Sequence, residues 1–471
     1  MNAPELRGRI PAPVVSLCQH LADAGHRAWV VGGSVRDLLL AAGGPARPGD
    51  WDLATDALPE QVQRLFKRVI PTGIKHGTVT VMIGKEGYEV TTLRGETSYS
   101  DGRHPDHIYF VDDIRADLQR RDFTVNAIAY DPLEDKLIDP FGGIEDLSRR
   151  VLRAVGDPAA RFGEDGLRVM RAARFVATLN MQLEAETARA IRPSLDTYRL
   201  VSPERIREEW LKAMGAQEPS RGLEVMREHG LLEVSLPEVH QRTLSDAPDG
   251  ASGIDGASDR TTLVSATDGA SSSLGSAPDT AAPITWSQLL QALDAAPRDA
   301  ILRTALLLTA PDPSASTAGA SRAAAERART MCARLRFSNA ERERVTRLVA
   351  SYPVPPLPTR PALRRWLKET GPDLLPQLWP LCQSLAEATG ASAEPTRELA
   401  ERAAKELAAG VPLSARDLAI SGRELMQALE LPPGPLLGKL LERLLDHALE
   451  HPGSNQPATL LAYAAELSRE A

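Results

Sequence analysis

The chain has 471 residues, 42% of them hydrophobic and 25% charged, with a formal net charge of −8 at pH 7. That length exceeds what one small core organises, so two to four domains or segments are expected. No stretch reaches the roughly 18 uninterrupted apolar residues of a membrane span, and the N-terminus carries no apolar run flanked by basic residues, so neither membrane insertion nor secretion is expected. Three scattered cysteines, Cys18, Cys332 and Cys382, form neither a disulfide framework nor a zinc cluster, which fits a reducing cytoplasm. The acidic total speaks against nucleic-acid binding only in bulk, because arginines gather at 115–121, at 161–174 and between Arg322 and Arg347.

To about residue 144, β-rich runs alternate with helical patterns. Ala28–Val31, Thr78–Ile83, 88–92 and 107–111 are predicted as strands, and 35–41 and 61–67 as helices. Segment 29–37 reads Trp-Val-Val-Gly-Gly-Ser-Val-Arg-Asp: a buried strand runs into Gly32 and Gly33, and a helix starts near Ser34. Glycines let the backbone approach an anion, a helix N-terminus offers unpaired N–H groups, and Arg36, one turn in, adds a charge-assisted contact. Taken alone, such a turn is equally a tight strand-to-helix connection.

Segment 49–55 follows as Gly-Asp-Trp-Asp-Leu-Ala-Thr. On a strand, residues two apart face the same side, so Asp50 and Asp52 present two carboxylates together. Ionised carboxylates at that spacing repel unless a cation neutralises them, and hard oxygen ligands favour Mg²⁺. A pair of such ions activates an attacking hydroxyl and stabilises a leaving phosphate.

From Glu145 onward the pattern is helical almost throughout. Residues 243–283, dominated by Ser, Ala, Gly, Asp and Thr, cannot bury enough surface to offset their ordering entropy and read as a disordered insertion. Residues 314–321 read as a shorter loop of the same kind, and the proline-rich stretch 353–361 as a joint between helical segments.

The glycine turn followed by Asp-x-Asp resembles the nucleotidyltransferase superfamily that includes DNA polymerase beta. It more closely resembles the bacterial and eukaryotic (class II) CCA-adding enzymes, which are tRNA nucleotidyltransferases, and bacterial poly(A) polymerases. Three further motifs carry the likeness: Arg-Arg-Asp-Phe-Thr-Val-Asn-Ala at 120–127, Asp-Pro-Phe-Gly-Gly-Ile-Glu-Asp-Leu at 139–147, and Glu-Asp-Gly-Leu-Arg-Val-Met-Arg-Ala-Ala-Arg at 164–174. All four stand in family order between about residues 28 and 175. The resemblance implies an α+β chain, with a polymerase-beta-like α/β head (1–144) followed by an all-α neck, body and tail. The neck (145–215) would select the nucleotide, the body (216–352) would carry the insertion, and the tail (353–471) would bind RNA.

By resemblance, Arg121 contacts the nucleotide and Asn126 is a second candidate, while Asp122 orders the arginines and Phe123 belongs to the core. Glu89 is either a third carboxylate near the metals or an ion partner of Arg94. His76 and the pair His104 and His107 lack ligand-like spacing. Asp165, Arg168, Arg171 and Arg174 recur every three residues, as neighbours on one helix face do. Cytosine and adenine both place an amino donor beside a ring-nitrogen acceptor, whereas uracil and guanine place a carbonyl beside an N–H. An acceptor on Asp165 next to a donor on Arg168 therefore suits C and A. Arg171 and Arg174 are then placed to meet the triphosphate or to stack under the base.

The implied activity is template-independent addition of C, C and A to the 3′ end of tRNA from CTP and ATP, with no DNA partner. Two features favour complete addition over its relatives. Residues 94–106 resemble the flexible loop of enzymes that add the final A, and its shortening is expected to stall the product before that A. The second feature is the tail, where Asp-Leu-Ala-Ile-Ser-Gly at 417–422, Pro-Gly-Pro-Leu-Leu-Gly at 433–438 and Asn455 resemble CCA-adding enzymes. Poly(A) polymerase, a partial enzyme adding only CC or only A, and an inactive RNA-binding scaffold are the alternatives. Leu-Leu-Leu-Thr-Ala at 306–310 stands where some relatives carry a His-Asp metal pair, so phosphohydrolase activity is not expected.

Overall fold

The computed structural model describes residues 6–41, 51–74, 77–96, 108–244, 284–309 and 317–469. Asp50, His76, residues 97–106 of the expected loop with His104, His107 at the start of the expected strand 107–111, and residues 245–283 of the expected insertion lie outside them. The chain forms two compact units, Met1–His240 and Gln241–Ala471.

In chain order, the first unit opens with α1 (Ala12–Asp23), β1 (Ala28–Val31), α2 (Gly33–Leu40), β2 (Asp52–Thr55), α3 (Pro59–Leu65), β3 (Val69–Gly73) and β4 (Thr78–Ile83). It continues with β5 (Glu86–Thr92), β6 (Arg94–Glu96), β7 (Ile108–Phe110), α4 (Ile114–Gln119), β8 (Ala129–Asp131), β9 (Lys136–Ile138) and α5 (Gly143–Ser148). Seven strands make one mixed sheet in the order β3-β4-β5-β2-β1-β8-β9, and β6 and β7 pair separately.

Strand β1 is buried along its whole length, as its unbroken apolar run requires of a central strand. It pairs antiparallel with β2, Val30 opposite Leu53. The Gly32–Gly33 turn at its end therefore comes level with Asp52 at the start of β2. Strand β2 runs parallel to β5, with Asp52 opposite Glu89. Beneath the sheet, Trp29, Val31, Ala54, Leu93, Ile114, Leu118, Ala127, Ala129 and Val155 form one buried cluster.

The rest of the first unit is mainly helical: β10 (Val151–Leu152), α6 (Pro158–Glu164), α7 (Leu167–Leu179), β11 (Gln182–Leu183), α8 (Ala185–Ile191), α9 (Leu195–Arg199), α10 (Pro203–Met214), α11 (Pro219–Glu228), α12 (Leu231–Ser235) and α13 (Pro237–Leu244). Helix α7 is the hub, with α10 and α11 packed against it. Its buried residues, among them Leu167, Met170, Ala173 and Val176, leave Arg168, Arg171 and Arg174 on the remaining stripe. Asp165 is not on this helix. It follows α6 in an extended conformation (φ −144°, ψ 105°), and α7 begins only after Gly166. The Thr197–Tyr198 backbone passes so close over Gly166 that a Cβ there would lie 2.7 Å from the Tyr198 nitrogen. Only glycine fits such a crossing.

The second unit is helical among its described residues: α14 (Trp286–Ala295), α15 (Ala300–Thr309), α16 (Thr317–Arg334), α17 (Asn339–Ala350), α18 (Arg360–Thr370), α19 (Leu375–Ala388), α20 (Glu394–Ala408), α21 (Gly422–Ala428), α22 (Pro435–Glu450) and α23 (Pro457–Arg469). The expected loop at 314–321 is a correction: 314–316 lie outside the described residues, and α16 already begins at Thr317. The alanines at 318, 320 and 323–325 outweigh the Ser and Gly that suggested a loop. The proline-rich joint does fall between α17 and α18. Tail motifs far apart in sequence meet, since the Asn455 side chain accepts from the Ala419 amide (2.8 Å) and donates to the Asp417 carbonyl (3.1 Å). Among the described residues, no helix is long and apolar enough to cross a membrane.

One buried ion pair ties α18 to α20. Arg364 donates to Glu406 at 2.6 Å and to the Leu449 carbonyl at 3.0 Å, and Arg360 donates to Glu406 at 2.5 Å. Burial alone would raise the Glu406 carboxyl, but the two arginines outweigh it and hold it below its usual range. Glu406→Ala leaves Arg364 buried and uncompensated. It should cost this unit about 3 kcal/mol, read as a shift of its unfolding transition to lower urea in the full chain.

Candidate active site

The first unit contains an open cavity of about 550 Å³ walled by β1, β2, β5, α7 and α10 with their flanking turns. Every described candidate from the sequence reaches it: Gly33, Arg36, Asp52, Arg121, Asp165, Arg168, Arg171 and Arg174. Glu89 and Asn126 join them. Eight arginines and four carboxylates line the wall, so the surface offered to a ligand is cationic and suits a polyanion.

At one end is the glycine turn. Gly32 sits at φ 73°, ψ −132°, a conformation side chains avoid, and a Cβ there would lie 2.8 Å from Nη1 of Arg121 and 3.9 Å from Oδ2 of Asp52. The missing side chain lets the Arg121 guanidinium and the Asp52 carboxylate close on the backbone at the N-terminus of α2. Arg36, one turn into α2, donates to Asp37 (2.8 Å) and to the Asn126 side-chain oxygen (2.6 Å), with its guanidinium 5.3 Å from the centre of the Phe175 ring. Asp52 and Glu89 are register partners on adjacent parallel strands, which places two hard-oxygen donors side by side. Among the described residues there is no group of three such ligands, and Asp50 lies outside them.

At the other end is the helix stripe. Arg171 binds Asp122 through two nitrogens (2.8 and 2.7 Å) and lies 3.6 Å from Glu209. Arg174 pairs with Glu209 and stacks on Phe175, 3.7 Å from the ring centre. Burial presses the Arg174 guanidinium down to about 10, with Glu209 pulling the other way. Arg168 bonds Glu164 (2.5 Å) and the carbonyls of Arg161 (2.9 Å) and Arg120 (2.8 Å). Asp165 is gripped from α10: Arg205 donates to its two oxygens at 3.1 and 2.6 Å, and the Leu167 amide donates at 3.0 Å.

Three residues here escaped the sequence reading. Arg205 and Glu209 lie in Ser-Pro-Glu-Arg-Ile-Arg-Glu-Glu-Trp at 202–210, an ordinary amphipathic helix start when read alone. Their only signal is charge on a helix that also buries Ile206, Trp210 and Ala213, and Glu209 is itself buried among them. Phe175 reads as core and is buried, yet its ring serves Arg36, Arg171 and Arg174.

Family models match three stretches of the chain: the poly(A) polymerase head domain at 28–153, a probable RNA and SrmB-binding site of polymerase A at 180–242, and tRNA nucleotidyltransferase domain 2 at 320–464. A CCA-adding enzyme of Lactobacillus helveticus is 51% identical over 203 residues, 43% of this chain and 49% of the relative. One from Geobacillus sp. is 47% identical over 228 residues, 48% of this chain and 55% of the relative. The matched region thus spans about half the length of these curated relatives. A crystal structure of the Bacillus stearothermophilus CCA-adding enzyme in complex with CTP superimposes with a TM-score of 0.69 at 28% identity, covering 98% of this chain and 99% of that one. The Thermotoga maritima CCA-adding enzyme complexed with tRNA shares the fold at 18% identity and a TM-score of 0.55, covering 98% of each chain.

Asp122 is the buried hinge of the cluster. Burial alone would raise its carboxyl, but Arg171, the Asn126 amide and Arg168 together hold it well below the ordinary range. A depressed folded pKa adds stability at pH values above the unfolded pKa, about 3.9, and that contribution fades as pH falls toward the folded value. Asp122→Asn should therefore lower stability by about 3 kcal/mol at pH 5 to 8, and the gap from wild type should narrow only below about pH 4. Thermal unfolding of both proteins between pH 3 and 8 checks it.

Proposed function

We propose that the chain is a member of the tRNA nucleotidyltransferase and poly(A) polymerase family and that it adds C, C and A to the 3′ end of tRNA from CTP and ATP. One observation carries this reading: a glycine turn, a strand-borne carboxylate pair and an arginine-faced helix open into a single cationic cavity. The RNA 3′-hydroxyl attacks the nucleotide α-phosphorus, the new O–P bond forms, and the bond to the β-phosphate oxygen breaks to release pyrophosphate. The amides around Gly33 and the guanidiniums of Arg36 and Arg121 bind the phosphates. Asp165, positioned by Arg205, accepts from the exocyclic amino group of C or A, and Arg168 donates to the ring nitrogen. Arg171 and Arg174 complete the nucleotide pocket.

Nucleotidyltransferases of this family generally use divalent metals. Asp52 and Glu89, with Asp50, would hold Mg²⁺, which supplies activation of the hydroxyl and charge neutralisation at the leaving group. A cytoplasmic placement belongs to the same proposal and agrees with three buried, unbridged cysteines. The second reading is poly(A) polymerase, because two of the matching family descriptions name that enzyme.

The test supplies purified protein with tRNA lacking its 3′ end, tRNA ending in C and tRNA ending in CC, together with CTP and ATP, and sequences the products. Ends of CCA support the proposal, A-tails select the second reading, and no extension rejects both. Asp52→Ala should slow transfer about a thousandfold or more, the loss expected when several kcal/mol of transition-state stabilisation disappear. Normal incorporation by this variant would remove the proposed catalytic centre.

Arg205→Ala should cut the preference for C and A over U about tenfold or more, because Asp165 loses its bidentate support. Competition of labelled CTP and UTP in single turnovers measures that ratio.

A further inference from the structure

Strand β7, paired with β6, carries two exposed aromatic residues, Tyr109 (52% exposed) and Phe110 (46% exposed). They differ in what they face. Tyr109 lies opposite Gly95, and its ring occupies the space a Cβ on Gly95 would take, so it is laid flat along its own hairpin. Phe110 lies opposite Arg94, and directly paired antiparallel residues project to the same side of a ladder. Arg94 lines the cationic cavity. The far edge of the Phe110 ring rests at 3.0 Å from where Gly77 would carry a Cβ, and the next residue, Thr78, is also a cavity-lining residue. Phe110 is thus an exposed ring on the cavity rim with cavity wall on both sides. A large apolar ring held open to solvent beside a cluster of guanidiniums fits a ligand with both a flat apolar face and an anionic backbone. Single-stranded nucleic acid has that chemistry.

We propose that Phe110 is the stacking platform for the unpaired base at the 3′ end of the RNA that is to be extended, a positioning residue that holds the hydroxyl toward the cavity. The proposal rests on the function given above. Stacking on an aromatic residue is sequence-tolerant, because every base has a π-face. One ring can therefore serve an end whose last base changes at each addition.

The full chain should be titrated with two RNAs, a tRNA ending in CC and the same tRNA with an abasic terminal nucleotide, for wild type, Phe110→Ala and Phe110→Tyr. Phe110→Ala should weaken binding of the CC-ended tRNA about tenfold to a hundredfold, Phe110→Tyr should restore it, and CTP affinity should not change in either. The abasic end should cost wild type a similar factor and cost Phe110→Ala nothing further, since the stack is already lost. Equal tRNA affinity of wild type and Phe110→Ala, or an abasic penalty that persists in Phe110→Ala, overturns the platform while leaving the proposed function intact. A lower melting temperature for Phe110→Ala with unchanged RNA affinity also overturns it, because the ring would then be packing against its own chain. Wild type that neither binds nor extends tRNA overturns the function and the platform together.

Discussion

Guanidinium groups repel one another, and crowding eight of them around one cavity is possible only with carboxylates set behind them. Two like charges at 4 Å cost about 4 kcal/mol at the effective dielectric of a protein surface, more than a marginally stable fold tolerates several times over. Carboxylates stand against the lining arginines: Arg36 with Asp37, Arg120 and Arg121 with Asp117, Arg168 with Glu164, Arg171 with Asp122 and Glu209, Arg174 with Glu209, and Arg205 with Asp165. Asp117 and Glu209 are buried and stand outside the cavity lining, so part of the balancing negative charge sits behind the wall. The side chains are fixed before any anion arrives. Preorganised donors of this kind need little rearrangement when charge develops on a phosphate.

The sheet sets the other half of the geometry. Because β1 and β2 are antiparallel, the end of one strand meets the start of the next, and the Gly32 turn necessarily stands beside Asp52. Because β2 and β5 are parallel and in register, Glu89 arrives next to Asp52 without any local sequence signal linking the two. The apolar runs of β1 and β4 were legible from sequence and their limits match the structure. Strand β3 was not, since Val69–Gly73 holds a proline and a glycine and is mostly exposed at the sheet edge. Its pairing with β4, not its own composition, makes it a strand.

Within the site, sequence spacing conveyed the arginines of α7 and misplaced Asp165. A three-residue recurrence looks the same whether its first member opens the helix or stands before it. Here Gly166 and the close crossing of Thr197–Tyr198 end one helix and begin the next. The partner that fixes Asp165 lies 40 residues away on another helix, a distance across which periodicity says nothing. Arg205 and Glu209, i and i+4 on α10, sit on one face of that helix, and each serves a residue of the 164–174 motif. The sequence contained both halves of each pair but no rule for joining them.

These pairings also join the two ends of the cavity. From Phe175, which carries Arg174, the chain of contacts runs through Glu209 to Arg171, on to Asp122, through the Asn126 amide, and ends on Arg36 at the glycine turn. Arg36 closes the circle, its guanidinium 5.3 Å from the same Phe175 ring. A base read at the helix and a triphosphate held at the turn would therefore bear on one connected set of side chains. Such networks respond as units, so a mismatched base that displaces Arg171 would also disturb Arg36 through Asp122 and Asn126. In the proposed reaction, discrimination then extends beyond the hydrogen bonds of Asp165 and Arg168. It includes whether the phosphates are held in line for attack, a contribution expressed in the rate of transfer and not only in nucleotide affinity.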